Sequence, residues 1–207
     1  MARTRIEDLR RKELIEAAHR VFVQHGLSGM TTKRICEAAG MSPGILSYYF
    51  KGKEDVLFAM VRLNNRLLME EVAHGLHNAT TRWDRLHAII AGNFPTGLFE
   101  PNIANAWLSV CAASGTNQRY AQLQRVFYGR LRSNLASVFT GTLPSPRFAD
   151  VALAIGGLID GLWLRRATGE DLPHDHATAL VMAVASALLT DSERLALKQV
   201  ADQQSAL

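Results

Sequence analysis

TTKRICEAAGMSPGILSYYFKGKEDVL, Thr31 to Leu57, is the stretch on which the fold turns. Thr31 or Thr32 offers a side-chain oxygen to cap a short helix running to about Ala39, and Gly40 supplies the residue that stops it. Ser42 and Pro43 open a second helix reaching about Phe50, since proline at the first helical position sacrifices no hydrogen bond. Two short helices joined by so tight a turn predict a helix-turn-helix over about residues 31–50.

The second helix is polar and aromatic where a core helix would carry aliphatics. A recognition helix needs this composition, because its first residues must reach base edges in the major groove while flanking groups grip phosphates. Ser42, Pro43, Gly44, Ser47, Tyr48 and Tyr49 are the candidate contacts on that helix, with Ile45, Leu46 and Phe50 anchoring its inner face. Thr32 and Lys33 on the preceding helix, and Lys51 and Lys53 beyond, suit backbone contacts. For Phe50 a core position is the preferred reading; for Tyr48 core and DNA both stay open.

Charge points the same way. Residues 1–53 hold ten Lys and Arg against five acids, whereas the remaining thirteen basic and fourteen acidic residues nearly cancel. A polyanion partner fits that excess, since each cation set against a phosphate releases a counterion. At 207 residues and 48% hydrophobic content the chain has ample material for a core. Val151 to Ile159 is the most apolar run, and Asp160, Arg165 and Arg166 interrupt it well short of a membrane span. The charged N-terminus lacks a secretory pattern, and Cys36 and Cys111 are too isolated for a disulfide framework or zinc site. The expectation is a cytoplasmic protein without metal, cofactor or membrane partner.

Outward from the quoted stretch the 3.6-residue period persists and strand alternation is missing, so an all-α protein is expected. Predicted helices span Ile6 to His25, residues 53 to about His77 with Glu54 and Asp55 in the first turn, Arg82 to Phe94, Pro101 to Ser114, Asn117 to Phe139, Pro146 to Thr168 and His174 to about Val200. The shift in composition near Lys53 divides the chain into a DNA-binding domain, 1–53, and a helical effector-binding and dimerisation domain, 54–207.

The quoted stretch resembles the helix-turn-helix of the TetR family of transcriptional repressors, T-x-x-x-I-A-x-x-A-G-V-S-x-G-x-x-Y-x-Y/H-F-x-x-K-E-x-L. Cys36 stands for alanine, Met41 for valine and Ser47 for the frequent tyrosine. The resemblance implies a homodimer, joined through its last two long helices, that binds a near-palindromic operator and releases it when a ligand enters the larger domain. Ala152, Ala154, Gly156, Gly157 and Gly161, with the apolar run Ala177 to Leu189, suit such a bundle. Burial of both helices within one subunit is the alternative.

AIIAGNF, AWLSVCAAS, RLRSNL and LIDGLWLR, between Ala88 and Arg165, are similar to segments of the BetI-type repressors, the choline-responsive members that control glycine betaine synthesis. That likeness implies a quaternary ammonium or related amine as effector, a class of cation held by aromatic faces with a carboxylate nearby. Phe94, Phe99, Trp107, Tyr120, Phe127, Tyr128 and Trp163 are candidate walls and Asp160 the counter-charge, one helical turn before Trp163. A core role is open for each aromatic, and Asp160 is expected to meet either a ligand cation or an arginine such as Arg165 or Arg132. Cys111 joins the candidates because the BetI-type pattern has a second tryptophan there, which leaves an unrelated ligand as the alternative effector.

Two rival functions compete. An enzyme could use His174 and His176 with Asp171 and Asp175 as a metal cluster, but a polar helix start accounts for them, and neither a G-x-S-x-G elbow nor a phosphate loop is present. A helical protein-interaction module would use the basic terminus against an acidic partner and show no operator preference.

Overall fold

The protein is seen in a computed structural model that describes residues 2–199; the side chains of residues 2–5, Leu27, Ser28 and Lys53 lie outside that description. Ten helices form among these residues: α1 Ala2–Gly29, α2 Thr32–Ala39, α3 Pro43–Tyr49, α4 Lys53–Asn78, α5 Arg82–Ala91, α6 Pro101–Ala113, α7 Gln118–Phe139, α8 Ser145–Ala167, α9 His174–Ala187 and α10 Asp191–Lys198. The all-α architecture is as the periodicity indicated. None of the helices is long and apolar enough to cross a membrane.

The signals at Thr31, Gly40 and Pro43 act as local chemistry dictates. Thr31 Oγ1 accepts from the Arg34 amide at 3.3 Å, Gly40 takes the left-handed φ of 65°, and Pro43 sits in the first turn of α3. Two expectations are corrected. The predicted helix from Arg82 ends at Ala91 rather than Phe94, and the predicted His174 to Val200 helix is two helices. Its break is a capping box, in which Thr190 accepts from the Glu193 amide and the Glu193 carboxylate accepts from the Thr190 amide. Val200 lies outside the described residues.

Two apolar cores result, and α6 joins them. The smaller packs Leu14, Ala18 and Phe22 of α1 against Ile35, Leu46, Phe50, Val56 and Met60, and takes in Ala106 and Val110 of α6. The larger gathers Ile89, Ile90, Phe94, Leu135, Phe139, Ile155, Ile159 and Val181, and takes Ile103 and Ala104 of the same helix. Asn102 of α6 also donates to the Val23 carbonyl of α1, so α6 is tied to the N-terminal helices by packing and by a hydrogen bond. On the far side, α4 and α5 cross so closely that a Cβ on Gly92 would stand 2.9 Å from the Val72 backbone.

Candidate DNA interface and effector cavity

Helical spacing sorts α3 into two faces. Leu46 and Phe50 are buried, while Gly44, Ser47 and Tyr48 are exposed one turn apart. Ile45 differs from its expected anchoring role: it is exposed, because its position on the turn lies away from the core that Leu46 enters. Ser42 and Pro43 are exposed and Tyr49 is half-buried, its ring edge-on to Tyr48 at 4.9 Å. Tyr48 is 67% exposed and its hydroxyl donates to Glu7 Oε1 at 3.3 Å, so the ring is no part of the core.

Around α3, Thr32, Lys33 and Lys51 are exposed, with Lys33 Nζ 4.0 Å from Glu37. The side chain of Lys53 lies outside the described residues. The Lys51 amide donates to Asp55 Oδ2, and Asp55 also pairs with Arg119 of α7. The Arg119 guanidinium, then the Lys51 amide, hold the Asp55 carboxyl below its usual range. Arg11 lies over the Phe50 ring at 4.9 Å, fixing α1 to the end of α3.

A small cavity of about 30 Å³ lies between α4, α6, α7 and α8, its walls including Trp107, Phe127, Asp160 and Trp163. Trp107 and Phe127 rings meet at 5.2 Å. Trp163 is fixed by its indole N–H, which donates to the Asn93 carbonyl at 3.1 Å, and by Phe99 edge-on behind it at 5.0 Å. Asp160 is half-buried and, among the described residues, pairs with no cation. The two arginines weighed as its partners are engaged elsewhere, Arg165 with Glu170 and Arg132 over Phe148. Its neighbour is the Tyr128 hydroxyl.

The electrostatics follow from that placement. Burial raises the Asp160 carboxyl pKa, and the nearby Tyr128 hydroxyl offsets part of the rise. Burial, then the Asp160 charge, pushes the Tyr128 phenol well above its ordinary value. Cys111 sits in the same cluster, its thiol raised first by burial and further by Asp160, with a Gln124 hydrogen bond opposing.

Four of the nine sequence candidates therefore line the cavity and two, Tyr128 and Cys111, attend Asp160 beside it. Phe99 backs Trp163, and Phe94 packs edge-on against Phe99 at 5.0 Å. Tyr120 goes to the smaller core against Phe58, at 5.7 Å, because its position on the α7 stripe lies near the N-terminal helices. Two open grooves are larger, about 470 Å³ beside His74, His87 and His174 and about 920 Å³ between α1, α4 and α7. Neither joins an unpaired acid to facing indoles. His174 pairs with Asp175 at 2.7 Å, and no group of His, Cys, Asp and Glu among the described residues has the geometry to hold a metal.

The model of the C-terminal region of BetI-type transcriptional repressors matches residues 83–190, and that of bacterial regulatory proteins of the tetR family matches residues 14–60. The chain belongs to the TetR family, in its BetI-type branch. It is 34% identical over 182 residues to the HTH-type transcriptional regulator BetI of Brucella canis, covering 88% of this chain and 91% of the relative. Against BetI of Escherichia coli K12 the identity is 34% over 183 residues, covering 87% and 94%. Solved structures share the fold: a transcriptional regulator from Rhodococcus at TM-score 0.73 and 19% identity, covering 86% and 95%, and one from Saccharomonospora viridis in complex with choline at 0.71 and 21%, covering 85% and 95%.

As a BetI-type member the protein is a DNA-binding transcriptional repressor and not an enzyme. The cavity of this BetI-type chain also uses residues that periodicity did not single out: Asn64 and Asn65 of α4, beside Val61 and Leu68. Their signal was two successive asparagines between the leucines of VRLNNRLLM.

Proposed function

We propose that this repressor binds a near-palindromic operator as a homodimer and releases it when a small organic cation, choline or a related quaternary ammonium compound, enters the Asp160 cavity. The observation that carries this reading is Asp160 itself, an acid without a cation partner among the described residues, set beside Trp107, Phe127 and Trp163. A half-buried carboxylate without a cation is costly, and a cation between indole faces relieves it. The choline complex of the Saccharomonospora viridis neighbour supports the same ligand class, and the BetI-type resemblance implies control of glycine betaine synthesis from choline as the regulated process.

The cavity, about 30 Å³, is too small for such a cation, so binding must part its walls. One wall is α4, whose first turn carries Asp55 against the Lys51 amide directly after α3. Displacing α4 therefore moves the recognition helix, and the ligand favours the released form by its preference for the open cavity. The division into a DNA-binding part, 1–53, and an effector and dimer part, 54–207, belongs to this proposal, as do the exposed contacts on α3 and a cytoplasmic location beside DNA.

For the dimer, α8 and α9 offer the surface. Leu153 is 75% exposed, and Leu164, Leu180, Val184 and Leu188 are exposed with it, separated by small residues such as Ala154, Gly157 and Ala183. Ala152, by contrast, turns into the core. An apolar strip of this extent suits a second copy. Calorimetry with choline, betaine aldehyde and glycine betaine, run beside operator release, tests the whole reading; release without cation binding would sink it.

A further inference from the structure

We infer that Asn64 and Asn65 form a hydroxyl-reading end of the effector cavity and restrict the ligand to cations that carry a hydroxyl group; this rests on the cation reading of the Asp160 site. Asn64 is only 6% exposed and lies in the cavity wall, and its Oδ1 closes no hydrogen bond, not even with the neighbouring His19, whose Nε2 is unpartnered too. Asn65 lines the same cavity, and its Nδ2 is likewise buried and unpartnered. Buried polar groups are almost always satisfied, so two unsatisfied amides on consecutive residues of a cavity wall mark a place for a ligand's polar atoms.

The chemistry of the two atoms selects the group. Asn64 Oδ1 accepts and Asn65 Nδ2 donates. A hydroxyl does both at once, donating its proton to the first and accepting from the second. If both amides rotate, they still present one donor and one acceptor. A carboxylate matches poorly, because it cannot donate to Asn64 and is repelled by Asp160 in the same cavity. A purely alkyl cation leaves both amides unmet, and a site built to bond a hydroxyl rejects the analogue lacking it. The aromatic faces and Asp160 thus hold the charge, and the α4 amides read the other end.

The test compares four probes on the full-length chain by calorimetry: choline, its methyl ether, tetramethylammonium and glycine betaine. Choline should bind at least about ten-fold more tightly than tetramethylammonium, with the ether close to tetramethylammonium and glycine betaine weakest. Asn64→Leu should erase the preference for choline over tetramethylammonium, and Asn65→Leu should narrow it. Equal binding of choline and tetramethylammonium by the unaltered protein overturns the inference and spares the cation site. Absence of binding by all three non-acidic cations removes the cation reading as well. Should Asn64→Leu unfold, the probe series on the unaltered protein and on Asn65→Leu still decides.

Discussion

Asn64 of α4 lies against His19 of α1, so a residue in the wall of the Asp160 cavity meets the first helix of the chain. The two meet without closing a hydrogen bond of normal geometry, and His19 Nε2 is buried without a partner. Burial lowers the His19 pKa below 6.5, Asn64 opposes the shift and Arg20 adds to it. Folded His19 is therefore neutral where the unfolded chain begins to take up a proton. Stability at this site is full above 6.5 and is lost as pH falls through 6.5 toward the folded value. The carboxylates with lowered pKa, Asp55, Asp84 and Glu193, act only below 3.8 to 4.5, so the window is clear of them. Melting temperature should fall between about pH 7.5 and about pH 5.5, and His19→Leu should flatten that slope. An unaltered slope in His19→Leu would exclude His19 as its source.

Asp160→Asn separates induction from folding. Because burial raises the Asp160 pKa, its contribution to stability is full below 3.8 and lost as pH rises through the folded value. At neutral pH the neutral amide should leave melting unchanged or raise it. Cation affinity should fall by about ten-fold or more as the counter-charge goes, and operator binding should remain. Normal induction of Asp160→Asn in an operator-release assay would take Asp160 out of the effector site.

On the DNA side, Tyr48→Phe tests the docking of α3. The hydroxyl bonds Glu7 in the free protein and the ring is exposed, so its loss should leave thermal unfolding nearly unchanged. Operator affinity should drop roughly five-fold, the worth of about one hydrogen bond. Unchanged affinity in a filter-binding or anisotropy titration would mean that the hydroxyl faces no DNA.

Much of this was written locally in the chain. Thr31, Gly40 and Pro43 fix their helix ends through their own side chains and φ angles, so the helix-turn-helix can be read without tertiary knowledge. Asp160 stood out because an acid in an apolar helix demands a partner. Tyr120 could not be sorted from Phe127 in the same way, since one α7 stripe serves two cores and periodicity does not say where one ends. Asn64 and Asn65 were hidden because a polar pair in a long helix reads as solvated until its neighbours are known. The break at Thr190 was legible as T-D-S-E, but apolar spacing on both sides masked it.

The last prediction concerns the crossing of α4 and α5. A methyl group on Gly92 would stand 2.5 Å from Val72 Cγ2 and 2.9 Å from the Val72 nitrogen and Cα, so a rotamer change alone cannot admit it. The α4 backbone must move, and overpacking of this kind costs about 1–3 kcal/mol. Gly92→Ala should therefore lower the urea midpoint with little change in slope. Because the displaced helix carries Asn64 and Asn65, cation affinity should change in the same variant even though Gly92 does not line the cavity. Gly40→Ala supplies the contrast: its Cβ meets no atom within 4 Å, yet its φ of 65° strains any other residue. It should lose about 1 kcal/mol through the backbone while leaving cation affinity intact. Equal effects of the two substitutions on cation affinity would show that the α4 and α5 crossing does not position the effector wall.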